Sequence, residues 1–182
     1  MNKTKKTILP KKEKLPPKKK SFSWKQPKTW PIAPLATLGP LGYFPKGPGT
    51  IGALAALPIA YLASTTSIYL LWLITLACIA LGLLAIAQFT ENSKEKDPGC
   101  VIVDEVAGQL VAFGAIIPQL MHWDMLLLGF VLFRVFDIFK FGSVAYWDRQ
   151  KNPLGVMMDD ITAGVFAGFI LAIIQALSLS YF

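Results

Sequence analysis

The chain has 182 residues, of which 54% are hydrophobic, and carries a formal net charge of +7. Its mean hydropathy of +0.50 is too high for an ordinary soluble domain and is typical of a small membrane protein with one domain. The charge is uneven, because residues 1–28 hold eleven of the eighteen Lys and Arg residues, whereas residues 29–182 hold seven bases and ten acids. The basic character therefore belongs to a tail, and a nucleic-acid-binding domain is excluded.

The tail and the body of the chain differ in composition. Residues 1–28 are rich in Lys and Pro, which predicts a disordered segment that lies on the anionic cytoplasmic leaflet. Residues 29–182 are predicted to form the helical domain. Its first part, 30–50, is too dense in Pro and Gly for a regular helix, so we expect an ordered loop or a short interfacial helix there.

The rest of the chain predicts an all-α membrane bundle of about five apolar helices. The apolar segments are 51–66, 68–89, 101–117, 124–141 and 160–181. The second and fifth have the length of a membrane span, about 20 residues, whereas the first and third lie near the lower limit. The fourth carries Arg134, Asp137 and Lys140, so one side of it must face protein or water.

The positive-inside rule gives these segments an orientation. The Lys-rich tail places the N-terminus in the cytoplasm. When the spans alternate, the polar stretches at 91–99 and 141–160, which together carry four Lys or Arg residues, return to the cytoplasm. The turns left outside, 64–67 and 118–124, carry no Lys or Arg. Charged residues from distant parts of the chain are therefore expected to meet at the cytoplasmic headgroup level.

Five carboxylates lie at the predicted cytoplasmic ends of apolar segments. They are Asp104, Glu105, Asp137, Asp159 and Asp160. A charged residue inside a membrane helix costs about 2.5–3.5 kcal/mol on insertion scales, so such acids usually face a protein interior and serve a function. Carboxylates without a His or Cys partner favour a hard cation such as Mg²⁺, which often bridges to a phosphate.

Basic and hydroxyl groups at the same predicted level suit a phosphate. Lys46 and Thr50 belong to a Gly-rich stretch before a helix, whose free N–H groups attract anions. Arg134 and Lys140 flank Asp137 at spacings of three, on one helical face. Arg149 completes the set, although it could instead pair with the preceding aspartate on the surface. Together these residues predict a metal-assisted phosphoryl site.

Some of the acids also have structural explanations. Asp159 and Asp160 could simply cap the last helix and complement its dipole. Asp160 shares a face with Gly164 and Gly168, and this GxxxG spacing favours close packing of a neighbouring helix.

Two further alternatives concern the other acids. Asp137 could be only the ion-pair partner of Arg134. Asp104 and Glu105 diverge by about 100° around a helix, so we expect one to face inward and the other to lie behind it or at an interface.

At these residues the chain resembles the phosphatidylglycerophosphatase A family. The matching segments are FPKGPGTIGALAALP (44–58), VIVDEVAG (101–108), GFVLFRVFDIFK (129–140), WDR (147–149) and GVMMDDITAGV (155–165). The resemblance runs from about residue 35 to 180. One departure is that the family usually reads KPxPI where this chain has Lys140-Phe141-Gly142-Ser143-Val144.

The resemblance implies removal of the terminal phosphate from phosphatidylglycerophosphate, with Mg²⁺, in the bacterial inner membrane. It thus implies a phospholipid substrate and a membrane, and no nucleic acid; the oligomeric state is left open. Rival functions are a phosphatase for another lipid phosphate, such as phosphatidic acid, and a non-catalytic anion-binding bundle. Direct attack by water and an aspartyl-phosphate intermediate both fit the residues.

We hypothesise three overlapping sets of site residues. The catalytic set is Asp104, Asp137, Asp160 and Arg134; the phosphate-binding set is Lys46, Thr50, Lys140 and Arg149; the metal-binding set is Asp104, Glu105, Asp137, Asp159 and Asp160. The site is expected on the cytoplasmic side.

Overall fold

A computed structural model describes residues 33–92, 99–150 and 152–180, so the predicted tail at 1–28 lies outside the described residues. All regular secondary structure in the described part is helical, which confirms the predicted all-α class. Its α-helices are α1 (Ala33–Ala36), α2 (Pro48–Thr66), α3 (Ile68–Asn92), α4 (Val103–Phe113), α5 (Trp123–Phe139), α6 (Ser143–Asp148) and α7 (Pro153–Ser180). Two 3₁₀ helices, Leu41–Tyr43 and Pro118–Leu120, lie between them.

Three helices in the described part of the chain are long and apolar enough to cross a membrane. They are α2, α3 over Ile68–Gln88, and α7. The apolar segments at 101–117 and 124–141 do form helices, but shorter ones. The 11 residues of α4 extend only about 16 Å, against a hydrocarbon core of about 30 Å. Five apolar helices therefore occur near the predicted places, and three of them have the length of a span.

The polar stretch predicted at 141–160 is not one long connection. It contains α6 and the first two turns of α7, which begins at Pro153 rather than near residue 160. Pro suits the first helical position, and the side-chain Oδ1 of Asn152 accepts a hydrogen bond of 2.7 Å from Gly155 N–H. Because Asn152 caps the helix, the cap role considered for Asp159 and Asp160 is wrong; both lie well inside α7.

The short helix α4 occupies the centre of the bundle. It packs against α2, α3, α5 and α7. Most of its residues are buried, including Leu110 and Phe113, which join Leu126 of α5 and Leu171 of α7 in one apolar cluster. In a helix surrounded on several sides, a buried polar side chain is costly unless a neighbour or a bound ligand supplies a polar partner.

Glycines set the close crossing of α4 and α7. A Cβ at Gly164 would overlap the carbonyl oxygen of Gly108, and a Cβ at Gly108 would overlap the carbonyl oxygen of Asp160. One turn further along α7, a Cβ at Gly168 would lie 3.3 Å from the Ala112 oxygen. The GxxxG face thus packs against α4 as the sequence predicts. This crossing brings the beginning of α4, with its two acids, close to Asp160.

Candidate active site

A polar pocket of about 80 Å³ opens where the start of α4, the end of α5, the end of α6 and the first half of α7 meet. Its lining residues are Asp104, Glu105, Asp137, Lys140, Asp148, Val156, Asp159 and Asp160. The volume is several times the roughly 15 Å³ that one water molecule requires. Acids that lie far apart in the sequence therefore share one cavity.

Asp104 and Glu105 both line the pocket, and Glu105 also lies at the interface with α2, one of the two positions expected for the second acid. Asp104 is buried, and its Oδ1 accepts a hydrogen bond of 3.1 Å from the Glu105 N–H. Glu105 lies toward α2, where a Cβ at Gly49 would overlap its Oε1. The pocket opens between α4, α5, α6 and α7, and both side chains reach it although they diverge around α4.

Three of the carboxylates lie close enough to bind one cation. Ligand oxygens of Asp104, Glu105 and Asp160 lie within 4.8 Å of one another. Burial raises the pKa of Asp104 well above its usual value, and the nearby charges of Glu105 and Asp160 raise it further. Glu105 Oε2 is buried and has no hydrogen-bond partner among the described residues. Mutually repelling carboxylates with a buried, unpaired oxygen fit a hard divalent cation, which would satisfy all of them.

A lysine occupies the other side of the pocket. Lys140 Nζ lies 2.5 Å from Asp148 Oδ1 and 2.9 Å from Asp159 Oδ2. Burial of the ammonium group lowers its pKa, but hydrogen bonds to the two aspartates outweigh this, and the pKa of Lys140 is raised overall. Asp159, which the sequence suggested as a metal ligand, thus has Lys140 as its partner. The second Asp159 oxygen accepts a hydrogen bond from the Asp160 N–H.

The backbone before α6 is shaped to place Lys140. Lys140 ends α5 with φ +49°, and Gly142 follows with φ +54° and ψ −114°. The second conformation is open to glycine and strained for other residues. The segment that departs from the family pattern therefore forms a tight turn, which returns the chain so that Asp148 reaches Lys140.

Asp137 has two neighbours of opposite character. It lines the acidic pocket, and its Oδ2 lies 2.5 Å from Arg134 Nη1 one turn away. The contact is an ion pair without hydrogen-bond alignment, since Arg134 Nη1 and Nε are buried and have no hydrogen-bond partner among the described residues. The ion-pair explanation for Asp137 and its predicted place at the site are both compatible with this geometry.

The remaining predicted phosphate ligands do not line the pocket. Lys46 and Arg149 are exposed, and Thr50 is partly exposed in the first turn of α2. The neighbouring Gly49 and Gly52 do approach the acids, because a Cβ on either would meet Glu105. The structure therefore brings together Lys140 and the five predicted acids, and leaves these three residues outside the cavity.

Two notable residues were absent from the predicted set. Asp148 lines the pocket, and the WDR segment that contains it was the available signal. Gln109 is completely buried in α4, and neither of its amide atoms has a hydrogen-bond partner among the described residues. A lone glutamine inside an apolar stretch was the only sign of it.

The fold and the pocket together define a helical membrane protein with a buried carboxylate site that could hold a metal ion. The sequence model of the phosphatidylglycerophosphatase A family matches residues 34–175. The chain therefore belongs to the phosphatidylglycerophosphatase A family, and the resemblance seen in the sequence is confirmed.

Individual relatives cover part of the chain. It is 34% identical over 102 residues to phosphatidylglycerophosphatase A of Haemophilus influenzae. The matched region covers 56% of this chain and 61% of that protein. A second relative is phosphatidylglycerophosphatase A of Escherichia coli, with 31% identity over 94 residues, 51% of this chain and 54% of that protein. A Bacteroides thetaiotaomicron protein with the provisional name phosphatidylinositol-3-phosphatase is 35% identical over 83 residues, 46% of this chain and 52% of that protein. No solved structure matches the chain significantly.

Proposed function

We propose that this protein is a Mg²⁺-dependent phosphatase that removes the terminal phosphate of phosphatidylglycerophosphate and releases phosphatidylglycerol. The observation that carries the proposal is the group of Asp104, Glu105 and Asp160 oxygens within 4.8 Å of one another, in a pocket that also contains Lys140. Family membership and the names of two relatives favour this substrate.

The chain's own residues divide the chemistry between two sides of the pocket. Asp104, Glu105 and Asp160 would hold Mg²⁺, which when bound supplies a Lewis acid for a phosphoryl oxygen. Lys140 lies across the cavity, where its ammonium group attracts the phosphate as a point charge. Asp159 and Asp148 hold that group in place through their hydrogen bonds. The cavity thus offers charge of both signs to a phosphate monoester.

Asp137 and Arg134 serve the reacting atoms in this proposal. The oxygen of a water molecule bonds to phosphorus while the phosphorus–oxygen bond to the glycerol oxygen breaks. The carboxylate of Asp137 accepts a proton from that water and returns it to the departing glycerol oxygen, so that phosphatidylglycerol and inorganic phosphate leave. Arg134, which is paired with Asp137, still has unpaired N–H groups that can stabilise charge developing on the phosphate. Lys46, Thr50 and Arg149 are proposed at the mouth, where they would meet the phosphate as it enters.

The proposed location is the bacterial inner membrane, with the N-terminus and the pocket on the cytoplasmic side. Three span-length apolar helices and the Lys-rich tail support it. The pocket lies at the helix ends that the charge pattern assigns to the cytoplasm. A lipid phosphate at the headgroup level would reach it without leaving the bilayer.

A second candidate function is hydrolysis of another lipid phosphate at the same site. The Bacteroides relative, whose provisional name specifies a phosphoinositide, favours this alternative. The chemistry of the pocket is the same for both candidates, because the pocket recognises the phosphate and the cation rather than the alcohol. Which lipid headgroup the enzyme prefers must therefore be determined by direct comparison of substrates.

The test is phosphate release in mixed detergent–lipid micelles by the full chain, with Mg²⁺ and with EDTA. Phosphatidylglycerophosphate is compared with phosphatidic acid and phosphatidylinositol 3-phosphate. Asp160→Asn removes one charge from the cluster and is expected to lower kcat on the order of 100-fold or more. Asp124→Asn, at an exposed position in the first turn of α5, is the matched control and should retain activity. Wild-type release that is indifferent to both EDTA and Asp160→Asn would exclude the metal mechanism.

A further inference from the structure

Gln109 is an unusual core residue because its whole amide group is unsatisfied. The residue is 0% exposed, and neither Oε1 nor Nε2 has a hydrogen-bond partner among the described residues. Gln175, which is equally buried in α7, accepts a bond of 2.8 Å from Ile117 N–H and donates to the carbonyl oxygens of Ala115 and Leu171. A buried amide without partners destabilises a fold, so its presence points to a partner supplied during function.

The position of Gln109 connects it to the acidic pocket. It lies four residues after Glu105 in α4, so both side chains share one helical face, and Gln109 is one turn deeper in the bundle. Glu105 Oε2 is itself buried, and no hydrogen-bond partner for it occurs in the part of the chain that the structure describes. The Glu105 carboxylate oxygen and the Gln109 amide, both without a described hydrogen-bond partner, thus lie one helical turn apart.

Arg134 approaches the same depth from the neighbouring helix. It lies one turn before Asp137 in α5, which ends at the pocket, so it too is one turn below the acids. Helices α4 and α5 contact each other at Gly108 and Phe133, where a Cβ added to Gly108 would lie 2.8 Å from the Phe133 ring. Gln109 follows Gly108 in α4, and Arg134 follows Phe133 in α5, so both lie at the level of this contact. Burial raises the pKa of Glu105, and the nearby charge of Arg134 opposes that rise.

The unpaired atoms of these side chains are chemically complementary. Glu105 Oε2 can only accept, and Arg134 Nε and Nη1 can only donate. An amide provides both functions, with Nε2 donating toward the carboxylate and Oε1 accepting from the guanidinium. An ionised glutamate would repel Glu105, and leucine could neither donate to Glu105 Oε2 nor accept from Arg134. Among side chains of this size, the geometry favours glutamine.

We propose that Gln109 is a positioning residue that bridges Glu105 and Arg134 when the pocket holds its cation and phosphate; this inference rests on the proposed function. Gln109 Nε2 donates to Glu105 Oε2 and fixes the carboxylate for the cation. Gln109 Oε1 accepts from Arg134 and orients the guanidinium toward the phosphate. Gln109 thereby couples the metal side of the pocket to the phosphate side without touching either ligand.

The test compares Gln109→Leu and Gln109→Glu with Gln175→Leu in the full chain. Three quantities are measured: the melting temperature, kcat and KM with phosphatidylglycerophosphate, and the Mg²⁺ dissociation constant by calorimetry. For Gln109→Leu we expect an unchanged or higher melting temperature, because an unsatisfied amide is removed. Its kcat should fall about 10–100-fold, with a weaker Mg²⁺ affinity and a small change in KM. Gln109→Glu should lower kcat as well, because an ionised carboxylate cannot donate the hydrogen bond to Glu105 Oε2.

Gln175→Leu is the structural control, since it breaks three hydrogen bonds at the other end of the bundle. It should lower the melting temperature while the folded fraction keeps the wild-type kcat. The proposal is overturned if Gln109→Leu retains both kcat and Mg²⁺ affinity, or if its activity falls only in step with its melting temperature. If the wild type hydrolyses none of the lipid phosphates, the proposed function fails, and the ratio of Mg²⁺ affinities still tests the bridge.

Discussion

The crossing of α4 and α7 gives the sharpest test of how the acids are assembled, through the substitution Gly164→Ala. The new Cβ would overlap the carbonyl oxygen of Gly108 and lie 3.0 Å from its carbonyl carbon. A relaxed carbon–carbon contact is about 3.5–4.0 Å, so the helices must separate by roughly 1 Å. Overpacking of this kind costs about 1–3 kcal/mol of stability.

The effect on the site should exceed the effect on stability. Asp160 lies one turn before Gly164, and Asp104 lies one turn before Gly108, so separation of the helices widens the carboxylate cluster directly. Ligand distances in a metal site tolerate only about 0.2 Å. A shift of about 1 Å therefore predicts a loss of kcat/KM on the order of 100-fold and a weaker Mg²⁺ affinity.

Gly168→Ala is the matched control, because the nearest atoms to its Cβ would be 3.1 Å and 3.3 Å away, at Ala115 and Ala112. We expect it to reduce kcat/KM much less than Gly164→Ala. Both variants are measured by phosphate release, by thermal unfolding in detergent and by Mg²⁺ titration. If Gly164→Ala keeps full activity at unchanged stability, the close helix crossing does not position the cluster, and the reasoning is refuted.

Two further predictions concern the turn around Lys140. Lys140→Met removes the ammonium group that contacts Asp148 and Asp159, and it should lower the free energy of unfolding by about 1–3 kcal/mol, between the values for exposed and buried ion pairs. Lys46→Met, at an exposed position, should change the free energy of unfolding by less than about 0.5 kcal/mol. Equal effects of the two in thermal unfolding would contradict the role of the ion pairs. Gly142→Ala should lower the free energy of unfolding by about 1–3 kcal/mol, because alanine disfavours the positive φ at this position even though the new Cβ would have open space. Gly99→Ala has similar open space and no positive φ, so it should be nearly neutral. A neutral Gly142→Ala would show that the turn relaxes freely.

The places where sequence prediction failed share one physical cause. The start of α7 was predicted near residue 160, where the long apolar run begins, yet Asn152 and Pro153 start the helix earlier. The first two turns of α7 precede that run, and they contribute Val156 and Asp159 to the pocket. Hydropathy indicates whether a helix contacts lipid or water, whereas the residues at which the helix begins and ends depend on its capping residues.

The pairing of charges also lay beyond the sequence. Asp159 and Asp160 are adjacent and chemically identical, yet one binds Lys140 and the other joins the carboxylate cluster. The choice depends on the direction in which each side chain leaves α7 and on α6, a short helix that the sequence did not predict. Asp148 reaches Lys140 only because Gly142 reverses the chain before α6.

By itself the sequence determined the helical class, the family and the acids that gather at one end of the bundle. These follow from features that are local in the chain: apolar segments of helical length, charge asymmetry and short motifs with fixed spacing. Only the tertiary structure decided which acids lie close enough to share a cation, which one contacts Lys140, and that the buried amide of Gln109 has no hydrogen-bond partner among the residues described. Those relations depend on distances between different helices, and the close contact at Gly108 and Gly164 sets such distances in three dimensions.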